Sequence, residues 1–173
     1  MGFDLYLEVR IREKSTNRVI TRDEWNLYEY PECGFQDICW WCGWNYCDIR
    51  DEMIAVSNRS LQIQYTAQEH CIPVPETALR EIYAYLLRRS CVPDDEAFEL
   101  CPGEERWWMV ESYEKMNLNN AMKLHDWMYA IQAVRCGGSF DFDDSMFRDI
   151  QDKQRLEAHP DEYLWEYQIF NSY

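Results

Sequence analysis

The chain lacks any long apolar run, and its first residues lack the marks of a targeting signal. No stretch approaches the roughly 20 consecutive apolar residues that a membrane-spanning helix needs. Asp4 stands where a secretory signal has its basic start, and Tyr6 stands where a myristoylation signal has Ser or Thr. The sequence therefore predicts a soluble, cytoplasmic protein with no membrane contact.

Glycine and proline are scarce, with six of each among the 173 residues. No internal repeat, low-complexity tract or Gly- and Ser-rich linker divides the chain. A chain of this length is typical of one domain. We therefore expect a single domain over 1–173, β-rich over 1–70 and helix-rich over 71–173.

Catalytic motifs are missing as well. The sequence has no glycine-rich phosphate loop, no His-Glu-x-x-His and no Gly-x-Ser-x-Gly, and it contains only three histidines. These absences predict a protein that is not an enzyme. The alternative, an enzyme acting through Asp141, Asp143 or His70, would show as turnover that depends on a divalent cation, and no motif indicates it.

Basic side chains are few beside the acidic ones. The chain has 17 Lys and Arg against 32 Asp and Glu, a formal charge of −15, with 47% hydrophobic and 16% aromatic residues. Disordered acidic chains lack such core-forming residues. We therefore expect this chain to fold, with its acidic side chains on the surface. The excess is spread along the whole chain, and it favours cationic partners over nucleic acid or anionic membranes.

The first third of the sequence predicts β structure. Apolar and polar residues alternate over 3–11, which indicates a strand with one buried face, and 18–21 reads as its returning partner. Residues 31–48 are irregular. Two short apolar runs within 52–66 predict a second hairpin.

Helices follow. Leu79, Ile82 and Leu86 fall at helical spacing in a segment from Pro75 to Arg89, and further helices are predicted over 119–135 and from Ser145 to Ala158. Alternation over 163–169 favours a closing strand. We therefore expect an α+β domain in which N-terminal antiparallel β-hairpins precede two or three helices packed on the sheet.

Four of the eight cysteines form one cluster, Cys33-x5-Cys39-x2-Cys42-x4-Cys47. A zinc site usually takes its ligands as two short pairs, and Cys39 with Cys42 resembles one such pair. Cys33 and Cys47 do not form the second, so the pattern favours a buried, aromatic-lined cysteine patch. No cofactor is predicted, and zinc held by these four thiolates is the alternative.

Acidic residues are concentrated in two segments of the sequence, 94–105 and 141–149. Carboxylates two residues apart on an extended chain lie about 6.6 Å apart, close to the phosphate spacing of one nucleic-acid strand. Trp107 and Trp108, which follow the first segment, could be buried against a partner and add the apolar contact that charged residues do not provide. The predicted contact residues are Asp94, Asp95, Glu96, Glu99, Glu104, Glu105, Trp107, Trp108, Asp141, Asp143 and Asp144.

In size and charge the chain resembles the small acidic proteins that phages and mobile elements use against host nucleases, including anti-CRISPR and anti-restriction inhibitors. These shared features are compositional and transfer no residue. The leading hypothesis is a non-enzymatic inhibitor that mimics nucleic acid on the basic surface of a nuclease or other nucleic-acid-binding protein. The alternative is a zinc-stabilised intracellular interaction domain built on the Cys33–Cys47 cluster.

Overall fold

The described residues of the computed structural model form four strands and four α-helices. In chain order these are β1 (Asp4–Glu13), β2 (Gln36–Cys42), α1 (Cys47–Leu61), β3 (Cys71–Val74), α2 (Leu79–Arg89), α3 (Glu105–Arg135), α4 (Ile150–Ala158) and β4 (Tyr163–Ser172). The structure describes residues 3–22, 33–43, 46–90, 105–140 and 142–172, with the backbone alone over 105–113.

The strands form one antiparallel sheet in the order β2-β1-β4-β3. Its two central strands pair in unbroken register from Asp4 opposite Ser172 to Glu13 opposite Tyr163. The predicted N-terminal and closing strands are confirmed. The predicted return over 18–21 joins the end of β1 through single backbone bonds, such as Ile20 N–H to the Ile11 carbonyl at 2.9 Å, rather than as a strand.

The helices lie on one face of the sheet, and the alternation of β1 explains which face. Phe3, Leu5, Leu7, Val9 and Ile11 have no exposed surface, whereas the residues between them are partly exposed on the opposite face. Burying such side chains stabilises a domain by about 1.5–3 kcal/mol each. The result is the expected α+β fold, with one helix-covered sheet face and one face that none of the described helices covers.

The second predicted hairpin, over 52–66, is wrong, because α1 occupies most of that segment. Ile49, Met53 and Val56 are buried four and three residues apart, a spacing that places them on one side of a helix. The two short apolar runs are therefore turns of one helix. It ends where Gln62 adopts a left-handed backbone with φ of 56°.

The segment 31–48, predicted to be irregular, contains the edge strand β2. An edge strand leaves one row of backbone groups without a strand partner. Here the Asn120 side chain of α3 accepts a hydrogen bond from the Trp40 N–H at 3.3 Å and donates one to the Trp40 carbonyl at 2.8 Å. The Trp41 indole donates to Asn117 Oδ1 at 3.1 Å. These bonds attach α3 to the edge of the sheet.

The helix predictions hold with shifted boundaries. The predicted helix over 75–89 is α2 with a preceding 3-10 turn, and α3 begins at Glu105 instead of 119. Ser145 lies in a separate 3-10 turn, and Asp149 is the residue that caps α4. None of the described helices is long and apolar enough to span a bilayer.

Candidate functional site

The predicted contact residues fall mostly where the structure gives no side chain. Asp94, Asp95, Glu96, Glu99, Glu104 and Asp141 lie outside the described residues. Glu105, Trp107 and Trp108 belong to the first turns of α3, where only the backbone is described. Asp143 and Asp144 are described in full, and both are exposed.

The described carboxylates of the second acidic segment have local partners. Asp143 accepts a hydrogen bond from the Ser145 N–H at 2.9 Å, and this bond lowers the pKa of its carboxyl group. Asp144 pairs with the Lys153 ammonium at 2.8 Å. Asp149 caps α4 by accepting from the Gln151 N–H at 2.9 Å. These residues therefore order the connection between α3 and α4, whatever they contact in solution.

The two acidic segments adjoin opposite ends of α3. This helix has 31 residues. At 1.5 Å of rise per residue, its first and last residues lie about 45 Å apart. One segment leads into Glu105 and the other follows Arg135 within a few residues. We therefore expect the segments to make two separate contacts rather than one continuous acidic row.

The cysteine cluster is divided between the two faces of the sheet. Cys39 pairs with Leu7 and is buried, whereas Cys42 pairs with Asp4 and is exposed. Residues three apart on a strand point to opposite faces, so these two thiols do not converge. Burial raises the pKa of the Cys39 thiol, which donates to the Asn120 carbonyl at 3.4 Å. Among the described residues, no three His, Cys, Asp or Glu side chains could share a metal ion.

Two single substitutions separate a packing role from a ligand role. Cys39→Ser should lower the free energy of unfolding by about 1–3 kcal/mol, because it places a hydroxyl in the core. Cys42→Ser should change it by less than about 0.5 kcal/mol, because Cys42 is exposed. Urea unfolding measures both. Equal losses, together with about one zinc per chain by metal analysis, would restore the zinc interpretation.

An aromatic group on the sheet face opposite the described helices was not predicted from the sequence. Trp40 is 43% exposed, and its ring lies 6.5 Å from that of Tyr6, which in turn lies 5.9 Å from Phe170. The Trp40 indole donates to Asp4 Oδ1 at 3.3 Å. The alternation of β1 already placed Tyr6 on this face. Trp40 was missed because its segment was predicted to be irregular.

Carboxylates surround these rings. After burial, the nearby charges of Asp4 and Asp37 are the next causes that raise the pKa of Tyr6. We call Asp4, Tyr6, Asp37, Trp40 and Phe170 the aromatic–acidic patch. Aromatic faces attract cations, guanidinium groups above all, and adjacent carboxylates add to that attraction. The patch is therefore chemically suited to an arginine or lysine side chain.

No protein-family model matches the chain, and no curated protein or solved structure matches it either. The surface presents a patch suited to cations in a chain whose net charge is −15.

Most of the basic side chains are already engaged by acids. Of the 16 Lys and Arg residues whose side chains are described, at least nine lie within 4.0 Å of a carboxylate of another described residue. Apart from the two pairs with the buried Asp152, these pairs are at least partly exposed and add little to stability. They do cancel positive charge locally, so the excess carboxylates dominate the potential that a partner meets.

Proposed function

We propose that the protein is a non-enzymatic acidic binding protein that inhibits a nucleic-acid-binding protein, such as a nuclease, by occupying its basic surface. The aromatic–acidic patch is the observation that carries this proposal. It combines an exposed tryptophan with flanking carboxylates on a sheet face that no described helix covers. Such a combination is chemically suited to contact with an arginine-rich surface.

The patch and the acidic segments would act at different stages of binding. Long-range attraction between opposite charges accelerates encounter, and it weakens with added salt. Buried aromatic anchors mainly slow dissociation. We therefore assign encounter to the acidic segments 94–105 and 141–149, and retention of the bound partner to Trp40 and Tyr6.

Substitutions in the two regions test this division. The first step identifies proteins that bind the immobilised chain at low salt and dissociate from it at high salt. We expect a basic nucleic-acid-binding protein among them. Trp40→Ala should raise its Kd by roughly 10–100-fold, chiefly through faster dissociation. Reversal of Asp94, Asp95, Glu96 and Glu99 to Lys should slow association by at least about tenfold.

A matched charge reversal controls for net charge. Asp51, Asp126, Asp161 and Glu162 are exposed acids outside both segments and the patch, and their change to Lys alters the charge equally. This variant should slow association much less. The proposal fails if Kd does not respond to salt, if Trp40→Ala leaves dissociation unchanged, or if the two reversals have the same effect.

A further inference from the structure

A pocket of about 520 Å³ lies between the start of α2 and the end of α3. One wall is formed by Met128, Ile131, Gln132 and Arg135. Residues three and four apart lie on the same side of a helix, so this wall is one face of α3. The opposite wall comes from the first turn of α2 and the 3-10 turn before it. Ligand pockets commonly enclose about 300–1,000 Å³, so the volume suits a small molecule.

Contacts between the two helices hold the pocket at both ends. At one end Arg135 donates two hydrogen bonds to the Glu76 carboxylate, the one from Nη2 measuring 2.8 Å. These bonds are the largest cause that raises the pKa of Arg135, and the charge of Asp161 acts in the same direction. At the other end the rings of Tyr83 and His125 lie 5.6 Å apart. The walls are therefore fixed, and the charge of Arg135 is already compensated.

Arg80 supplies the other positive charge of the pocket. Its side chain is exposed and forms no salt bridge or hydrogen bond with another described residue. Among the described residues that line the pocket, Glu76 is the sole carboxylate, and it is bound to Arg135. Thr77 adds an exposed hydroxyl, and Gln132 adds a carboxamide whose nitrogen lies 3.6 Å from Cys136 Sγ. A ligand would therefore meet one guanidinium charge and two neutral hydrogen-bonding groups.

The base of the pocket is apolar. Leu79 and Ile131 are 1% and 3% exposed and belong to the core, and the partly buried Met128 packs against it. Small-molecule sites combine such an apolar base with a few polar groups that fix the orientation of the ligand. The pocket thus has a place for an aliphatic group beside a place for a charge.

We propose that this pocket binds a carboxylate that carries a short aliphatic group, with the carboxylate on Arg80 and the aliphatic group against Leu79 and Ile131. A guanidinium binds a carboxylate through two parallel hydrogen bonds. A phosphate dianion is disfavoured, because it would place a second negative charge near Glu76. The pocket is separate from the aromatic–acidic patch, so its ligand can be tested independently of the proposed function.

Titration of the full chain with four probes tests the proposal. Hexanoate, N-acetyl-leucine, hexanol and hexyl phosphate are added at constant ionic strength, while NMR follows the methyl signals of Leu79 and Ile131 and the Nε–H signal of Arg80. Saturable shifts are expected with at least one carboxylate, which should bind at least about tenfold tighter than hexanol. Hexanoate binding the tighter would identify a free aliphatic acid as the ligand, and N-acetyl-leucine the tighter would identify the carboxyl terminus of a peptide.

Two variants with matched controls make the result specific. Arg80→Gln should weaken carboxylate binding at least about tenfold and leave hexanol binding unchanged. Arg88→Gln, at an exposed arginine of the same helix outside the described lining, should change neither. Gln132→Glu adds a negative charge to the pocket and should also weaken carboxylate binding, with the exposed Gln154→Glu of α4 as its control.

Three results would overturn the proposal. The first is absence of saturation with both carboxylates. The second is binding of hexanol or hexyl phosphate as tight as that of the better carboxylate. The third is an equal effect of either variant and its control.

Discussion

Replacement of Trp127 by Ala is expected to lower the free energy of unfolding by about 4 kcal/mol. Trp127 is 2% exposed and lies at the centre of an aromatic cluster. Its ring centre is 4.6 Å from Phe142, 5.7 Å from Phe140 and 6.1 Å from Trp165, and its indole donates to the Tyr167 hydroxyl at 3.1 Å. Truncation opens a large cavity and leaves that buried hydroxyl without its donor. Urea unfolding followed by circular dichroism measures the loss.

Trp40→Ala is the matched control for this prediction. It removes the same side chain from a position that is 43% exposed, on the sheet face opposite the described helices. We expect a smaller loss, about 1–2 kcal/mol, because 43% of that side chain is already exposed to water in the folded protein. A loss as large as that of Trp127→Ala would show that Trp40 belongs to the core. The same measurement establishes that the variant used for partner binding is folded.

Elements with strong local patterns were predictable from the sequence. The alternation from Phe3 to Ile11 and the helical spacing of Leu79, Ile82 and Leu86 each gave the right element, because one face of each is buried and the other is not. Such patterns need no knowledge of the neighbouring elements. The pairing of β1 with β4, 150 residues or more apart in sequence, did need it and was not predicted.

Short apolar runs were the source of the errors. Met53 to Val56 is compatible with either a strand or a helix, and packing against the rest of the fold decides between them. Gln36 to Cys42 was obscured by its cysteines, whose spacing suggested a metal ligand pair. Its strand conformation depends on β1 on one side and on Asn120 of α3 on the other.

The candidate sites were less predictable than the fold, because they are assembled from distant segments. Arg80 is far from Ile131 and Gln132 in the sequence, and the fold alone brings it to the pocket that they line. Trp40 and Phe170 likewise come from strands on either side of β1. The acidic segments could be recognised because their charged residues are close together in the sequence. Closeness in sequence does not show that these side chains share one surface of the folded protein.

Replacement of Arg18 by Leu is expected to lower the free energy of unfolding by about 2 kcal/mol. Asp152 is fully buried, and the change leaves its carboxylate with Arg155 as its described basic partner. Breaking a buried ion pair costs about 3–5 kcal/mol. The expected loss is smaller here because Arg18 itself is 43% exposed. Arg155→Leu should cost less than about 1 kcal/mol, because its guanidinium is 51% exposed and Arg18 keeps both bonds to the carboxylate.

A double variant decides whether the loss comes from the unpaired carboxylate. Arg18→Leu together with Asp152→Leu removes the buried charge as well as its partner. Replacing both members of such a pair by apolar residues is often neutral, so the double variant should be more stable than Arg18→Leu alone. The single variant Asp152→Leu completes the comparison. If the loss of stability in the double variant equalled the sum of the losses in the two single variants, Arg18 would act through packing and not through its charge. If the double variant instead lost less stability than that sum, the Arg18–Asp152 ion pair would be the interaction that holds the segment after β1 against α4.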